Sequence, residues 1–228
     1  MGLSIAYQLS LPAATDSATV VARIAQLRER ALQLPVKLVS DLMACQAGEP
    51  LGSPGPSVSL EFWFRSWAAL TRDPEGYDEL PDATGFIVYP GDECEPAAFG
   101  LARVPAYDAN WAQQPGAPPG WWWHSVTKTQ YASIVSAEHF VRCHTAVVAL
   151  LDAARELGFD VQVFDEGGYW ESRDADLLLA SVGHMNQLVA GIAGTLHDQL
   201  GPDHPVEAPI FAHPDFERLE TRITSPPP

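Results

Sequence analysis

The chain has 228 residues, of which 46% are apolar and only 18% charged, enough to bury one sizeable core and too apolar for a disordered acidic tail. The 29 Asp and Glu against 13 Lys and Arg leave a formal charge of −16, a surface that phosphate backbones repel, which argues against nucleic acid as a direct partner. No apolar run approaches the roughly 18 residues of a membrane span, so no membrane association is expected.

The N-terminus has no basic cluster and no fused apolar run of the signal-peptide kind. Cys45, Cys94 and Cys143 are far apart and match no zinc or redox spacing. A cytoplasmic protein with no cofactor and no metal is the expectation. Leu3, Ile5, Tyr7, Leu9 and Leu11 alternate with small or polar residues, the pattern of a strand with one buried face. Asp16 or Ser17 then caps a helix in which Val20, Ile24, Leu27, Ala31 and Leu34 recur at gaps of four and three, and Pro35 stops it. Residues 36–39 read as a returning strand, so that 1–44 form a β-α-β half.

The following segment, 45–120, reads as a β-rich acidic insert. Pro and Gly cluster at 50–56, 90–96 and 115–120, while Val58, Leu60, Phe62 and Phe64 alternate as a strand would, with further apolar stretches at 86–89 and 99–104. A second β-α-β half occupies 121–168. Residues 122–132 are strand-like, Ser133 or Ser136 opens a helix with the stripe Phe140, His144, Val147, Leu151 and Ala154, Gly158 ends it, and 161–164 return as a strand. Residues 169–201 form a C-terminal helix stepping through Leu178, Val182, Met185, Val189, Ile192 and Leu196, with Gly183, Ala190, Gly191 and Gly194 allowing close approach to a neighbour. A Pro-rich tail, 202–228, holds one helical turn at 215–222. The predicted fold is a single α+β domain, two β-α-β halves in a ferredoxin-like sandwich with helices on one face of a mainly antiparallel sheet.

Charge divides unevenly along these boundaries. The segments 1–44 and 121–159 are nearly neutral, whereas the insert holds eleven acids against three bases and 160–228 holds twelve against three. Aromatic residues occur beside the acids: Trp63, Trp67, Tyr89, Tyr107, Trp111 and Trp121 to Trp123, then Tyr169 and Trp170. Carboxylates speed encounter and rigid aromatics anchor contacts, so this composition suits a basic protein partner, as in an inhibitor or immunity protein. Solubility charge over an aromatic core is the plainer account.

Functional side chains are densest from 124 to 174. His124, Lys128 and Gln130 share one strand face, His139, Arg142, Cys143 and His144 follow, and Asp165-Glu166-Gly167-Gly168-Tyr169-Trp170-Glu171 leaves the last strand through two glycines. His139 and His144 lie about 140° apart on a helix and cannot readily share a metal ion. His139 and Cys143 share a face, which permits an activated thiol, although no cysteine-hydrolase signature accompanies them. His144 falls on the apolar stripe and reads as a core histidine bonded to a carboxylate or carbonyl.

Two functions compete with a plain structural homo-oligomer. One is the acidic binding protein, with Trp122, Trp123, Tyr131, His144, Glu166, Tyr169, Trp170 and Glu171 as binding residues. The other is a small-molecule hydrolase or isomerase in which Asp165 is the acid or base, Lys128 and Arg142 hold an anionic group, and His139 assists. Ion pairing of Asp165 with Lys128 or Arg142 would instead make those residues structural.

Overall fold

In a computed structural model of the protein, which describes residues 2–52, 59–72, 79–105, 114, 116, 118–200 and 206–224, the first strand and helix follow the sequence pattern. Strand β1 spans Ser4–Leu11 and buries Ile5, Tyr7, Leu9 and Leu11. Helix α1 spans Ser17–Ala31, with Asp16 accepting from the Thr19 N–H and with Val20, Ile24, Leu27 and Ala31 buried. An N-cap carboxylate satisfies a backbone donor that the first helical turn would otherwise leave unpaired.

The returning segment is two short strands, β2 (Leu38–Val39) and β3 (Met43–Cys45), which lie one after the other along β4 (Ala83–Tyr89). Strands β5 (Ala97–Pro105), β6 (Pro119–Lys128) and β7 (Asp160–Asp165) complete a seven-stranded sheet of order β2-β4-β5-β6-β1-β7, with every pairing antiparallel. The alternation of directions makes β1 and β2 parallel with three strands between them, and β6 and β7 parallel with β1 between them. The strands of the 45–120 segment therefore fill the middle of the sheet.

Helix α2, Leu60–Arg72, corrects the strand expected at 58–65. The alternation of Leu60, Phe62 and Phe64 covers too few residues to decide. Continued through the helix, the buried positions Phe64, Ala68 and Thr71 recur at gaps of four and three. Ser59 Oγ accepts from the Phe62 N–H at 3.1 Å and starts the turn. Val58, Tyr107 and Trp111 lie outside the described residues.

Successive strand residues face opposite sides, so unbroken burial along Ala83 to Val88 and Ala97 to Ala102 means that both faces of the centre are covered. Both α1 and α2 pack on β4 and β5, and a single layer of helices on one face does not describe this cover. Where α2 settles, Gly85 and Gly100 pair across β4 and β5. A Cβ on Gly85 would stand 2.6 Å from the Phe64 ring, and one on Gly100 3.2 Å from the Trp123 ring. The bare backbone lets those two rings stack at 5.4 Å.

Strand β6 stops at Lys128, short of the expected 132, and a 3-10 turn over Gln130–Ile134 leads into helix α3, Ala137–Glu156, capped by Ser136. The expected stripe Phe140, His144, Val147, Leu151 and Ala154 is buried throughout. Beyond β7, an edge strand on which Phe164 is 64% exposed, the C-terminal helix is two helices rather than one: α4 (Tyr169–Ser172) and α5 (Ala175–Leu200). Asp174 Oδ1 restarts the helix by accepting from the N–H groups of Asp176 and Leu177. A 3-10 turn, Pro209–Ala212, and helix α6, Phe216–Thr224, pack back against α5.

Helix α5 has the length and mean hydropathy of a membrane span, with 39% of the apolar window buried within the fold. Its buried side carries Asn186, whose Oδ1 accepts from Gln130 Nε2 at 2.8 Å and whose Nδ2 donates to Ser133 Oγ at 2.9 Å. Gln130 Oε1 in turn accepts from the Leu3 N–H at 2.8 Å. This satisfied chain of amides ties α5 to the start of β1.

Candidate functional site

Three groups of side chains occupy the 124–174 region, and they do not converge on one point. The first centres on His144. Its Nε2 donates to Asp165 Oδ2 at 3.1 Å, both side chains being fully enclosed, and its Nδ1 lies 2.9 Å from Thr129 Oγ1. Strand pairing sets the carboxylate in place, since Asp165 lies opposite Ile5 at the end of β7, while α3 supplies the imidazole.

Asp165 accepts two further bonds, from the Gly167 N–H to Oδ1 and from the Trp170 N–H to Oδ2, each 2.8 Å. Burial opposes its charge, yet the His144 hydrogen bond and charge together with the Trp170 and Gly167 N–H groups outweigh burial and hold the carboxyl below its ordinary range. The two glycines serve this turn. Gly167 is pressed so closely under Leu178 that a Cβ would stand 2.6 Å from it, and Gly168 adopts a φ of 71°. Phe140 and Tyr169 close the imidazole in at ring distances of 5.7 and 6.2 Å.

Hydroxyl, imidazole and carboxylate stand here in the order of a nucleophile relay. Thr129 and His144 are nevertheless 0% exposed, so the hydroxyl is closed off from solvent in this structure. The structure places His144 as a core histidine bonded to a carboxylate, Asp165, as its position on the apolar stripe suggested, and corrects its inclusion among the binding residues, because the side chain is fully buried. Neither Lys128 nor Arg142 pairs with Asp165 among the described residues. Lys128 Nζ lies 4.0 Å from Glu95, and Arg142 bonds His139.

The second group forms around that last contact. Arg142 Nη2 donates to His139 Nδ1 at 2.6 Å, which leaves the ring hydrogen on Nε2, 2.8 Å from the Asp92 carbonyl oxygen and 3.5 Å from Cys143 Sγ. Asp92 is also joined at the surface to Lys37. No cluster of three or more His, Cys, Asp or Glu side chains suited to a metal ion exists among the described residues.

The third group is the outer face of the turn after β7. Arg173 and Arg155 lie over the Trp170 ring at 4.8 and 5.4 Å, and Arg173 also bonds Asp152 through two nitrogens at 2.7 and 2.8 Å. Tyr169 is half-buried between His144 and Arg173. Glu166 receives the Ser4 N–H and hydroxyl, both at 2.7 Å, and Glu171 is exposed. Trp122 and Tyr131 are half-buried, and burial followed by the charge of Glu95 pushes the Tyr131 phenol up.

Trp123 is fully buried: besides stacking on Phe64, it donates from Nε1 to the Ala98 carbonyl at 2.8 Å. It is a core residue, not a surface contact as the sequence suggested, because its position opposite Leu9 turns it into the packed interior.

Four of the eleven acids of the 45–120 segment have ion-pair partners among the described residues. Glu49, Glu79, Asp92 and Glu95 pair with Arg65, Arg72, Lys37 and Lys128. The acids of the C-terminal region include three that line an open cleft of about 530 Å³ between α5 and α6: Asp198, Glu217 and Glu220, together with His197, Phe211 and Phe216. Phe211 and Phe216 meet at 4.9 Å and His197 sits 6.0 Å from Phe211. The sequence reading did not single out this cleft, whose signal was the surplus of acids in 160–228 with Phe211 and Phe216 among them. No family model, no curated protein and no solved structure matches the chain.

Proposed function

We propose that the protein is an acidic docking protein that receives a basic partner at its C-terminal region, in the manner of an inhibitor or immunity protein. The cleft between α5 and α6 carries this reading. Its three carboxylates attract a Lys or Arg side chain, and the Phe211 and Phe216 rings offer faces on which such a cation rests. We also read β1-α1-β2 and β6-α3-β7 as the halves of a ferredoxin-like sandwich widened by β4 and β5, with α5 and α6 as the added docking element. An enzyme built on Asp165 has less support. Its carboxylate is enclosed and bonded to three donors, and Lys128 and Arg142 are engaged elsewhere.

Titration of an arginine-rich peptide tests the proposal. Exposed ion pairs contribute about 0.2–1 kcal/mol each, so the combined variant Asp198→Asn, Glu217→Gln, Glu220→Gln is expected to bind about ten-fold more weakly. The wild-type affinity is expected to fall as salt rises. Equal affinities for the two proteins would overturn the assignment.

A further inference from the structure

Beyond the docking reading, the free edge of β7 draws attention as a surface that it does not use. Strand β7 ends the sheet, and no described strand pairs with its outer edge. The Glu166 N–H bonds the Ser4 carbonyl oxygen at 3.1 Å, one step beyond the Ile5–Asp165 pair. Bonded and non-bonded pairs alternate along an antiparallel ladder. Phe164, Gln162 and Asp160 therefore turn their backbone groups toward β1, and Val161 and Val163 turn theirs outward. Native edges are commonly blunted by a lysine, a proline or a bulge. The run Val161-Gln162-Val163-Phe164 has neither residue, pairs one to one with β1, and leaves Phe164 64% exposed.

The strand is self-complementary in one antiparallel register. With a two-fold axis through Gln162, Val161 of each copy stands opposite Val163 of the other, and the two exchange their outward N–H and C=O groups. Gln162 faces its own copy, and Asp160 lies beside Phe164. The same register brings Glu166 level with Gly158, whose carbonyl oxygen accepts from Arg23 at 3.1 Å, so a cation and an anion come together at each end. An axis through Val163 would set Asp160 against Glu166, two like charges. An axis through Phe164 would carry Val161 onto Gly167, inside the turn where the Gly168 N–H bonds the Asp165 carbonyl oxygen.

We propose that β7 is a homodimer interface at which two copies join antiparallel about Gln162 into one continuous sheet. The pairing satisfies the outward backbone groups of both valines and lays Phe164 along the second copy's strand. Each copy carries a formal charge of −16, so the copies repel, and salt favours the dimer by screening that repulsion. Docking of a basic peptide at the α5–α6 cleft has the opposite salt dependence, so the two proposals fail separately.

Sedimentation equilibrium of the full-length protein tests the proposal, and the expected mass rises toward twice that of the monomer as protein and salt are increased. Val163→Pro removes an outward N–H and no bond to β1, and it should remain a monomer over the same range. Engineered thiols read the register, since Cys45, Cys94 and Cys143 are all buried. Gln162→Cys is expected to form a disulfide-linked dimer on mild oxidation, because non-bonded partners hold their Cα atoms about 4.5 Å apart. Phe164→Cys, roughly 13 Å from its own copy in this register, should link about ten-fold less, and mixing it with Asp160→Cys should restore the link. A monomer at every concentration and salt, equal linking of Gln162→Cys and Phe164→Cys, or a folded Val163→Pro dimer would refute the proposal. The thiol comparison decides the register even if the proline variant folds poorly.

Discussion

Asp165→Ala is expected to destabilise the protein by about 3–5 kcal/mol, the cost of removing a buried carboxylate from the donors that surround it. The change strands the Nε2–H of His144 and the N–H groups of Gly167 and Trp170, all of which point at the carboxylate, and a buried donor without a partner forfeits its solvation. Thr129 keeps only a ring that nothing orients. His144→Ala should cost a comparable amount, and the double variant should cost clearly less than the two together, because the pair acts as a unit. Urea denaturation measures all three. Acid provides a second readout. The folded carboxyl lies below its ordinary 3.8, so its stabilisation is complete above that value and drains away as pH falls through the folded pKa. Wild-type stability should therefore decline below about pH 4 more steeply than that of Asp165→Ala. A loss under about 1 kcal/mol in the variant would mean that the turn after β7 is held by something else.

Trp123→Ala should cost about 3–5 kcal/mol, as truncations of large buried aromatics do. The Trp123 ring covers the Gly100 backbone and stacks on Phe64, which covers Gly85, so its loss also loosens the seat of α2 on the sheet. Trp123→Phe should cost much less. The Ala98 carbonyl that receives Trp123 Nε1 also receives the Tyr7 hydroxyl at 2.8 Å, so an acceptor with two lone pairs keeps one donor. Burial pushes the Tyr7 phenol up, and it remains protonated to donate. Thermal or urea unfolding separates the variants. Were Trp123→Ala to keep wild-type stability and lose only binding, the side chain would belong to a contact surface after all.

How legible these features were depends on how local their causes are. Helix α1 could be read residue by residue, because the Asp16 cap, the stripe from Val20 to Ala31 and the stop at Pro35 are all short-range. The start and stripe of α3 were equally plain. Helix α2 was misread because its first apolar residues alternate, and only Trp67, Ala68 and Thr71 beyond them reveal the helical period. The order of strands lay further out of reach. Apolar runs at 86–89 and 99–104 identify buried strands, but which neighbours they take depends on pairings between distant segments, and these put β4 and β5 at the centre.

The candidate site shows the same division. His144 on an apolar stripe reads as a core histidine bonded to a carboxylate or carbonyl, whereas Asp165 at a strand end reads as an acid or base, or as an ion-pair partner of Lys128 or Arg142. That they satisfy each other follows from the register of β7 on β1, which no local pattern encodes. Asn186 carried a readable signal, a polar residue between Val182 and Val189 on the buried side of α5. Its partners did not, because Gln130 fell within the expected strand to 132 and Ser133 read as a possible helix start. Summed charge located the acids in 45–120 and in the C-terminal region but could not reveal that Glu49, Glu79, Asp92 and Glu95 have ion-pair partners.

The docking reading places the working surface at the α5–α6 cleft and leaves the polar residues of 124–174 as internal supports. Mapping amide chemical shifts of the protein while an arginine-rich peptide is added at low salt tests this most directly. The account predicts that the largest changes fall on residues around Asp198, Phe211, Phe216 and Glu220, and that they fade as salt is raised. Changes centred instead on Lys128, Arg142 and Asp165, or none anywhere, would contradict it.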